Sequence, residues 1–115
     1  MGDVLSGPSE NPRLAILRSF AEKRPQDPFP RYALAMELKT AGDAPAAWRG
    51  FESLIADHPG YLASYAPAGD TLIELGRRDE ARGLFGKGIE AAGRRGDAHT
   101  RAHLESALTD LDADK

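Results

Sequence analysis

The sequence of 115 residues contains no cysteine, which excludes disulfide bonds, thiolate metal ligands and cysteine nucleophiles. It has no apolar run near the roughly 18 residues that a membrane-spanning helix needs. Its first residues also lack the charged start and apolar core of a signal peptide. Because disulfides are rare in the cytoplasm, their absence fits that compartment. We therefore expect a cytoplasmic protein that binds no membrane.

An excess of positive charge is also missing. The chain carries 15 Lys and Arg against 18 Asp and Glu, a formal net charge of −3, and neither half is basic. Proteins that bind nucleic acid usually carry a basic patch that neutralises phosphates, so no nucleic-acid partner is expected. The hydrophobic share of 41% is that of a folded chain, and the length suits one domain.

Motifs of catalysis are absent as well. No phosphate-binding glycine loop and no serine in a nucleophile elbow occurs. His99 and His103 are four residues apart on a predicted helix, so both rings could face one metal ion. A zinc site needs at least a third ligand, and the glutamate of the H-E-x-x-H motif is missing. We expect no enzyme, no cofactor and no native metal site, with both histidines on a solvated surface.

Apolar residues recur at helical spacing from residue 11 onward, and no segment alternates long enough to predict a strand. Capping residues mark where helices start, and glycine or proline marks where they stop. Six helices are predicted, over residues 11 to about 24, 28–40, 44–57, 62–75, 78–95 and 97–112. The fold is thus all-α, with one domain over 11–112, a disordered leader over 1–10 and a frayed tail over 113–115.

A shift of 34 residues matches the sequence to itself. The matched pairs are Ala35 with Gly69, Leu38 with Leu72, Gly42 with Gly76, Ala47 with Ala81, Phe51 with Phe85 and Ile55 with Ile89. The small members let two antiparallel helices approach closely, and the phenylalanines fill the remaining space. A glycine just past a helix end permits a left-handed turn. The sequence therefore predicts the same helical hairpin twice.

This pattern resembles the tetratricopeptide repeat, W-x2-L-G-x2-Y followed by A-x3-F and P. The second unit reads Tyr65-x2-Ala68-Gly69-x2-Leu72, then Ala81-x3-Phe85, and the first reads Arg31-x2-Leu34-Ala35-x2-Leu38, then Ala47-x3-Phe51 and Pro59. The resemblance implies a right-handed superhelix of about six antiparallel helices, with repeats at 28–61 and 62–95. The N-terminal helix then resembles the second half of a preceding repeat, and helix 97–112 a solvating cap.

The departures from the repeat pattern carry predictions of their own. Arg31 stands where an aromatic residue is usual, so the first unit is expected to close less tightly. Gly93 replaces a proline, which favours a longer fifth helix. Pro67 either kinks the fourth helix or lies in the first turn of a helix that starts near Ser64. Trp48 is expected to pack on the N-terminal helix and so seal that end of the array.

The resemblance also implies a function. In this family the first helix of each pair lines a concave groove that holds a peptide or a partner helix. Carried onto this chain, with the last helix added, the groove residues are Phe29, Tyr32, Met36, Lys39, Ala66, Asp70, Ile73, Glu74, Arg101 and Leu104. The family members that clamp a terminal carboxylate use lysine and asparagine where this chain has Tyr32 and Met36, then Ala66 and Asp70. That clamp is therefore not expected.

Two alternatives stay open at this level. Phe29 and Tyr32 could pack inside the array instead of lining the groove. The protein could also be a structural module that self-associates, as a homodimer through the groove or the N-terminal end, because arrays of this kind usually need about three repeats for stability. The main prediction is a non-enzymatic adaptor for a protein or peptide partner.

Overall fold

The computed structural model describes residues 11–114, and the predicted leader over 1–10 lies outside them. Within that range the chain forms six α-helices and no strand, which confirms the all-α prediction. The helices are α1 (Pro12–Lys23), α2 (Pro28–Thr40), α3 (Ala44–Asp57), α4 (Tyr65–Glu74), α5 (Arg78–Arg95) and α6 (Ala98–Ala113), and a short 3-10 turn (Leu62–Ser64) precedes α4. Of the predicted tail, residue 113 is still helical and residue 115 lies outside the described residues.

Side-chain caps set where four of the helices begin. Asn11 accepts the N–H of Leu14 at 2.9 Å at the start of α1, and Asp97 accepts that of Thr100 at 3.0 Å at the start of α6. Asp27 and Asp43 cap α2 and α3 in the same way, each followed by a proline in the first turn. A cap satisfies amide groups that the helix leaves without a partner. These signals are local, and for this reason α2 and α3 have the predicted limits.

Pro67 lies in the first turn of α4, because the 3-10 turn delays the start of that helix to Tyr65. A proline there removes no helical hydrogen bond, since the first amides of a helix have no partner within it. Its carbonyl accepts the hydroxyl of Thr71 at 2.7 Å. The alternative of a proline in the helix interior is therefore wrong. Helix α5 continues past Gly93 to Arg95, as predicted.

Three glycines end helices with a left-handed backbone: Gly42 (φ 88°), Gly76 (φ 78°) and Gly96 (φ 70°). At Gly76 an added Cβ would meet no atom within 4 Å, so only the backbone conformation requires glycine there. Gly83 differs, because it lies within α5, and there too an added Cβ would meet no atom within 4 Å.

The two glycines should therefore respond to alanine in opposite directions. Gly76→Ala is expected to lower the free energy of unfolding by about 1–2 kcal/mol, because L-residues are strained at positive φ. Gly83→Ala is expected to raise it by about 1 kcal/mol, since alanine favours a helix interior over glycine. Urea denaturation followed by circular dichroism measures both. Shifts of the same sign would contradict this assignment.

The helices form two layers. Each helix packs mainly on the next one along the chain, and α4 also contacts α6. Lys39 of α2 forms an ion pair with Glu74 of α4 at 2.9 Å, so α2, α4 and α6 share one layer. The other layer holds α1, α3 and α5, and cavities separate its neighbouring helices. This order is that of a helical-repeat array.

In the core, the large residues that recur after 34 positions pack against the small ones. Phe51 and Phe85 are both fully buried. A Cβ placed on Gly69 would overlap the ring of Phe85, so the missing side chain makes room for the ring. Gly88 serves a similar end, because a Cβ there would lie 2.8 Å from Leu104 Cδ1 and from Tyr65 Cβ. The close approach predicted for the small residue Gly69 and the filling role predicted for Phe85 are confirmed.

The looser closure expected beside Arg31 stays a prediction, but the contacts there differ from those in the second unit. In the second unit the equivalent Tyr65 is buried and donates to the carbonyl of Pro59 at 2.7 Å. Arg31 instead reaches Asp57 at 2.9 Å and Ser53 at 2.8 Å. A cavity of about 280 Å³ opens next to it between the first three helices. Arg31 is thus fixed by an ion pair and a hydrogen bond, whereas Tyr65 is fixed by burial and a hydrogen bond.

The prediction for Trp48 is wrong. Its indole is buried against α5 instead of α1, with the guanidinium of Arg77 5.6 Å from the ring centroid and Leu84 in the same cavity wall. The reason is the phase of α3. Gly50, two residues and thus about 200° further round the helix, faces the cavity beside α1. Trp48 therefore does not cover the N-terminal helix.

Candidate functional site

The layer of α2, α4 and α6 forms a concave surface, which we call the groove. The Lys39–Glu74 ion pair links two of its walls. Asp70 of α4 lies in the middle, although part of its side chain stays exposed. Burial raises the pKa of Asp70 and Glu74 adds to the rise, whereas Lys39 and His103 lower it. Lys39 of α2 and His103 of α6 thus both lie near this carboxyl group.

Aromatic side chains occupy one end of the groove. The rings of Phe29 and Tyr32 have centroids 6.5 Å apart, and the ring of Tyr61 lies edge-on to Tyr32 at 5.6 Å. We call these three residues the aromatic corner. Phe29 is 60% exposed, so the alternative that it packs inside the array is wrong. Tyr32 is intermediate, half-buried against the core but reachable from the groove.

Sequence reasoning missed Tyr61, because it lies in the turn before α4 and not at a groove position of a helix. The signal that could have found it is its position directly before Leu62, where the second unit begins. This point lies opposite the start of the first unit. Burial raises the pKa of its hydroxyl, and Tyr32 and Asp27 raise it further. Tyr61 therefore lies next to Tyr32 and near one carboxylate, Asp27.

The floor of the groove is apolar and shallow. Met36, Ala66 and Ile73 are all half-buried and pack against the core. Lys39, Asp70 and Glu74 lie nearby, with Lys39 and Glu74 in an ion pair. That the eight residues predicted from α2 and α4 form one binding surface stays a prediction.

The two residues predicted from α6 lie elsewhere. Leu104 is fully buried, with its Cδ1 next to Gly88, so it supports the groove from beneath. Arg101 is on the far flank of α6, where it bonds Glu105 at 3.1 Å. The groove flank of α6 instead presents His99 and His103.

The two histidines line a cavity of about 280 Å³ between α4 and α6. Its other lining residues are Leu62, Ala63, Ala66, Thr100 and Leu104. Both histidines are exposed, as expected for a solvated surface. Over residues 11–114, no group of three or more His, Asp or Glu is placed to hold a metal ion. The cavity can accept an apolar side chain flanked by two imidazoles.

None of the described helices is long and apolar enough to cross a membrane. The arrangement therefore offers a groove with an aromatic end, an apolar floor and carboxylates along its walls.

Comparisons with known proteins were made by family, by sequence and by structure. No family model matches the chain, and no curated protein matches it. A solution NMR structure of a tetratricopeptide repeat domain protein from Salinibacter ruber is similar, with 34% identity and a TM-score of 0.73 over 77% of this chain and 90% of that one. A crystal structure of a tetratricopeptide repeat domain protein from the same organism shows 33% identity and a TM-score of 0.72, over 76% and 97%.

A third structure, of a protein from Bordetella parapertussis, has the same fold at 22% identity, with a TM-score of 0.77 over 91% of each chain. The Salinibacter relatives carry the assignment, because the similarity in sequence spans nearly their whole length. The 34-residue period, the paired small and large core residues and the layered helices agree with it. The chain is a small member of the tetratricopeptide repeat family.

Proposed function

We propose that this protein is a non-enzymatic adaptor that binds a peptide or a partner helix in the groove. The observation that carries the proposal is the exposed ring of Phe29 at the end of a groove lined by three helices. Tetratricopeptide repeats in general serve as protein-interaction modules. Solvent-exposed phenylalanine in a concave surface, with tyrosine and methionine beside it, is a typical contact for a protein segment.

The residues of α2 that face the groove form one stripe. Phe29, Tyr32 and Met36 follow one another at spacings of three and four residues, so they lie on one side of the helix. Methionine adapts its shape to different partners, and tyrosine adds a hydroxyl that can hydrogen-bond. The stripe can therefore supply most of the apolar contact with a bound segment.

The repeat limits are part of this proposal. Residues 28–61 and 62–95 are taken as the two repeats, with α1 as the second half of a preceding unit and α6 as the cap. The cytoplasmic location expected from the sequence also stays a prediction.

Removing the stripe should remove binding. The double variant Tyr32→Ala and Met36→Ala is expected to weaken partner capture about tenfold or more, since each truncated contact contributes about 1 kcal/mol. Quantitative mass spectrometry of proteins captured from a lysate of the source organism measures the loss. Circular dichroism must show unchanged helicity.

The matched control is Ile16→Ala with Phe20→Ala, which removes a similar apolar area from α1, outside the groove. It should leave capture unchanged. Wild-type capture by the groove variant would rule out the groove as the binding surface.

Self-association is a second candidate function, favoured by two exposed apolar side chains on α1. Ile16 is 54% exposed and Phe20 is 48% exposed. In the repeat register Ile16 corresponds to Leu84 and Phe20 to Leu54, and both of these are buried. The two exposed side chains thus occupy positions that are buried in the complete repeats, and a second copy of α1 could cover them.

Sedimentation velocity tests this candidate. A dimer at high micromolar concentration that dissociates in the Ile16→Ser, Phe20→Ser variant would support it. A wild-type monomer under the same conditions would exclude it.

A further inference from the structure

The aromatic corner offers more than apolar contact area. Tyr61 meets Tyr32 edge-on, at an interplanar angle of 60°. Phe29 is the most exposed of the large apolar side chains in the described part of the chain. The faces of aromatic rings carry partial negative charge, which attracts cations. An exposed cluster of rings can thus bind the ammonium or guanidinium group of a partner.

One carboxylate lies at the corner, and two more lie further along the groove. Asp27 is held beside it, because its Oδ1 accepts the N–H of Phe29 at 3.1 Å, and it is the carboxylate that acts on Tyr61. Further along the groove lie Asp70 and Glu74. Carboxylates next to ring faces strengthen the attraction for a cation.

Two of the nearby cations are paired with carboxylates. Lys39 forms its ion pair with Glu74 at 2.9 Å, and Arg31 pairs with Asp57 at the other side of α2. Arg95 lies at the turn that carries Tyr61, where its guanidinium donates to the carbonyl of Gly60 at 3.2 Å. Among the charged residues assigned to the groove, the carboxylates Asp27, Asp70 and Glu74 outnumber Lys39, so the groove favours positive charge.

We propose that the aromatic corner is the recognition site for an arginine or lysine side chain, so that the occupant of the groove is a basic protein segment. The cation lies against the rings of Phe29 and Tyr32, with Asp27 as its counter-charge, and Asp70 attracts a second basic residue further along. This inference rests on the proposed function, because it names the chemistry of the partner that the groove binds. It also separates this groove from one that binds an acidic chain end.

Selection from a library of random peptides displayed on phage tests the inference with the full-length protein. The library is panned in parallel on the wild type and on the Tyr32→Ala, Met36→Ala variant, and peptides that need the groove are sequenced. The most enriched peptide is then synthesised twice, once as selected and once with citrulline in place of arginine or norleucine in place of lysine. Fluorescence anisotropy gives the dissociation constants of both.

Enrichment of arginine or lysine is the expected result. Loss of the positive charge should weaken binding about fivefold or more, and Phe29→Ala and Asp70→Asn should weaken the selected peptide to a similar degree. Glu52→Gln and Glu90→Gln are the matched controls, because each removes an exposed carboxylate outside the groove, and binding should not change.

Groove-dependent peptides without basic residues would overturn the inference and leave the proposed function standing. So would equal binding of the charged and uncharged peptides, or an equal loss in the control variants. If no enriched peptide depends on the groove, both the inference and the proposed function are wrong.

Discussion

Replacing Phe85 with alanine is expected to lower the free energy of unfolding by about 3–5 kcal/mol. The ring is fully buried between α4 and α5 and covers Gly69, which has no side chain to fill the space left behind. The cavity would therefore persist in the variant. Because small domains are stable by only about 5–15 kcal/mol, this one change removes a large part of the stability.

Urea denaturation followed by circular dichroism measures the loss, and Phe29→Ala is the matched control. Phe29 is 60% exposed, so its removal should change the free energy of unfolding by no more than about 0.5 kcal/mol. Similar losses in the two variants would contradict the assignment of Phe85 to the core.

The second large effect on stability is expected when one buried glycine gains a methyl group. Gly69→Ala should destabilise the protein by about 1–3 kcal/mol, although alanine favours helices over glycine. The added methyl group overlaps the ring of Phe85, so the ring or the backbone of α4 must move. In the variant, one added carbon atom is therefore enough to overpack this position.

A double-mutant cycle shows whether the cause is that overlap. Phe85→Leu frees volume next to residue 69, so Gly69→Ala should cost less in the Phe85→Leu background than in the wild type. Independent, additive costs would place the strain elsewhere. Gly83→Ala serves as the control, because its methyl group meets no neighbour.

Much of the fold could be predicted because its signals are local or repeated. Asp27 and Asp43 mark helix starts by their own hydrogen bonds, and Gly42 marks an end by its backbone. The 34-residue period then pairs the helices without any knowledge of their contacts. The start of α4 was different. Pro67 is compatible with two starting points, and only the 3-10 turn decides between them.

The site could be predicted only where the repeat extends. Tyr32 and Met36 were identified because every repeat points the same positions of its first helix into the groove. Helix α6 is a cap, and its apolar residues tell which face is buried but not which flank meets α4. For this reason Arg101 was placed in the groove and His103 was not. Trp48 was misplaced for a similar reason, since both flanks of α3 face a neighbouring helix.

The layered order of the helices has a mechanical consequence. Contacts along the array run mainly from each helix to the next, so separation can begin at one end and advance step by step. A segment bound along the groove, as proposed, would touch α2, α4 and α6, which are never consecutive in the chain. It would stabilise the array, because one helix could then no longer separate without losing contacts at the others.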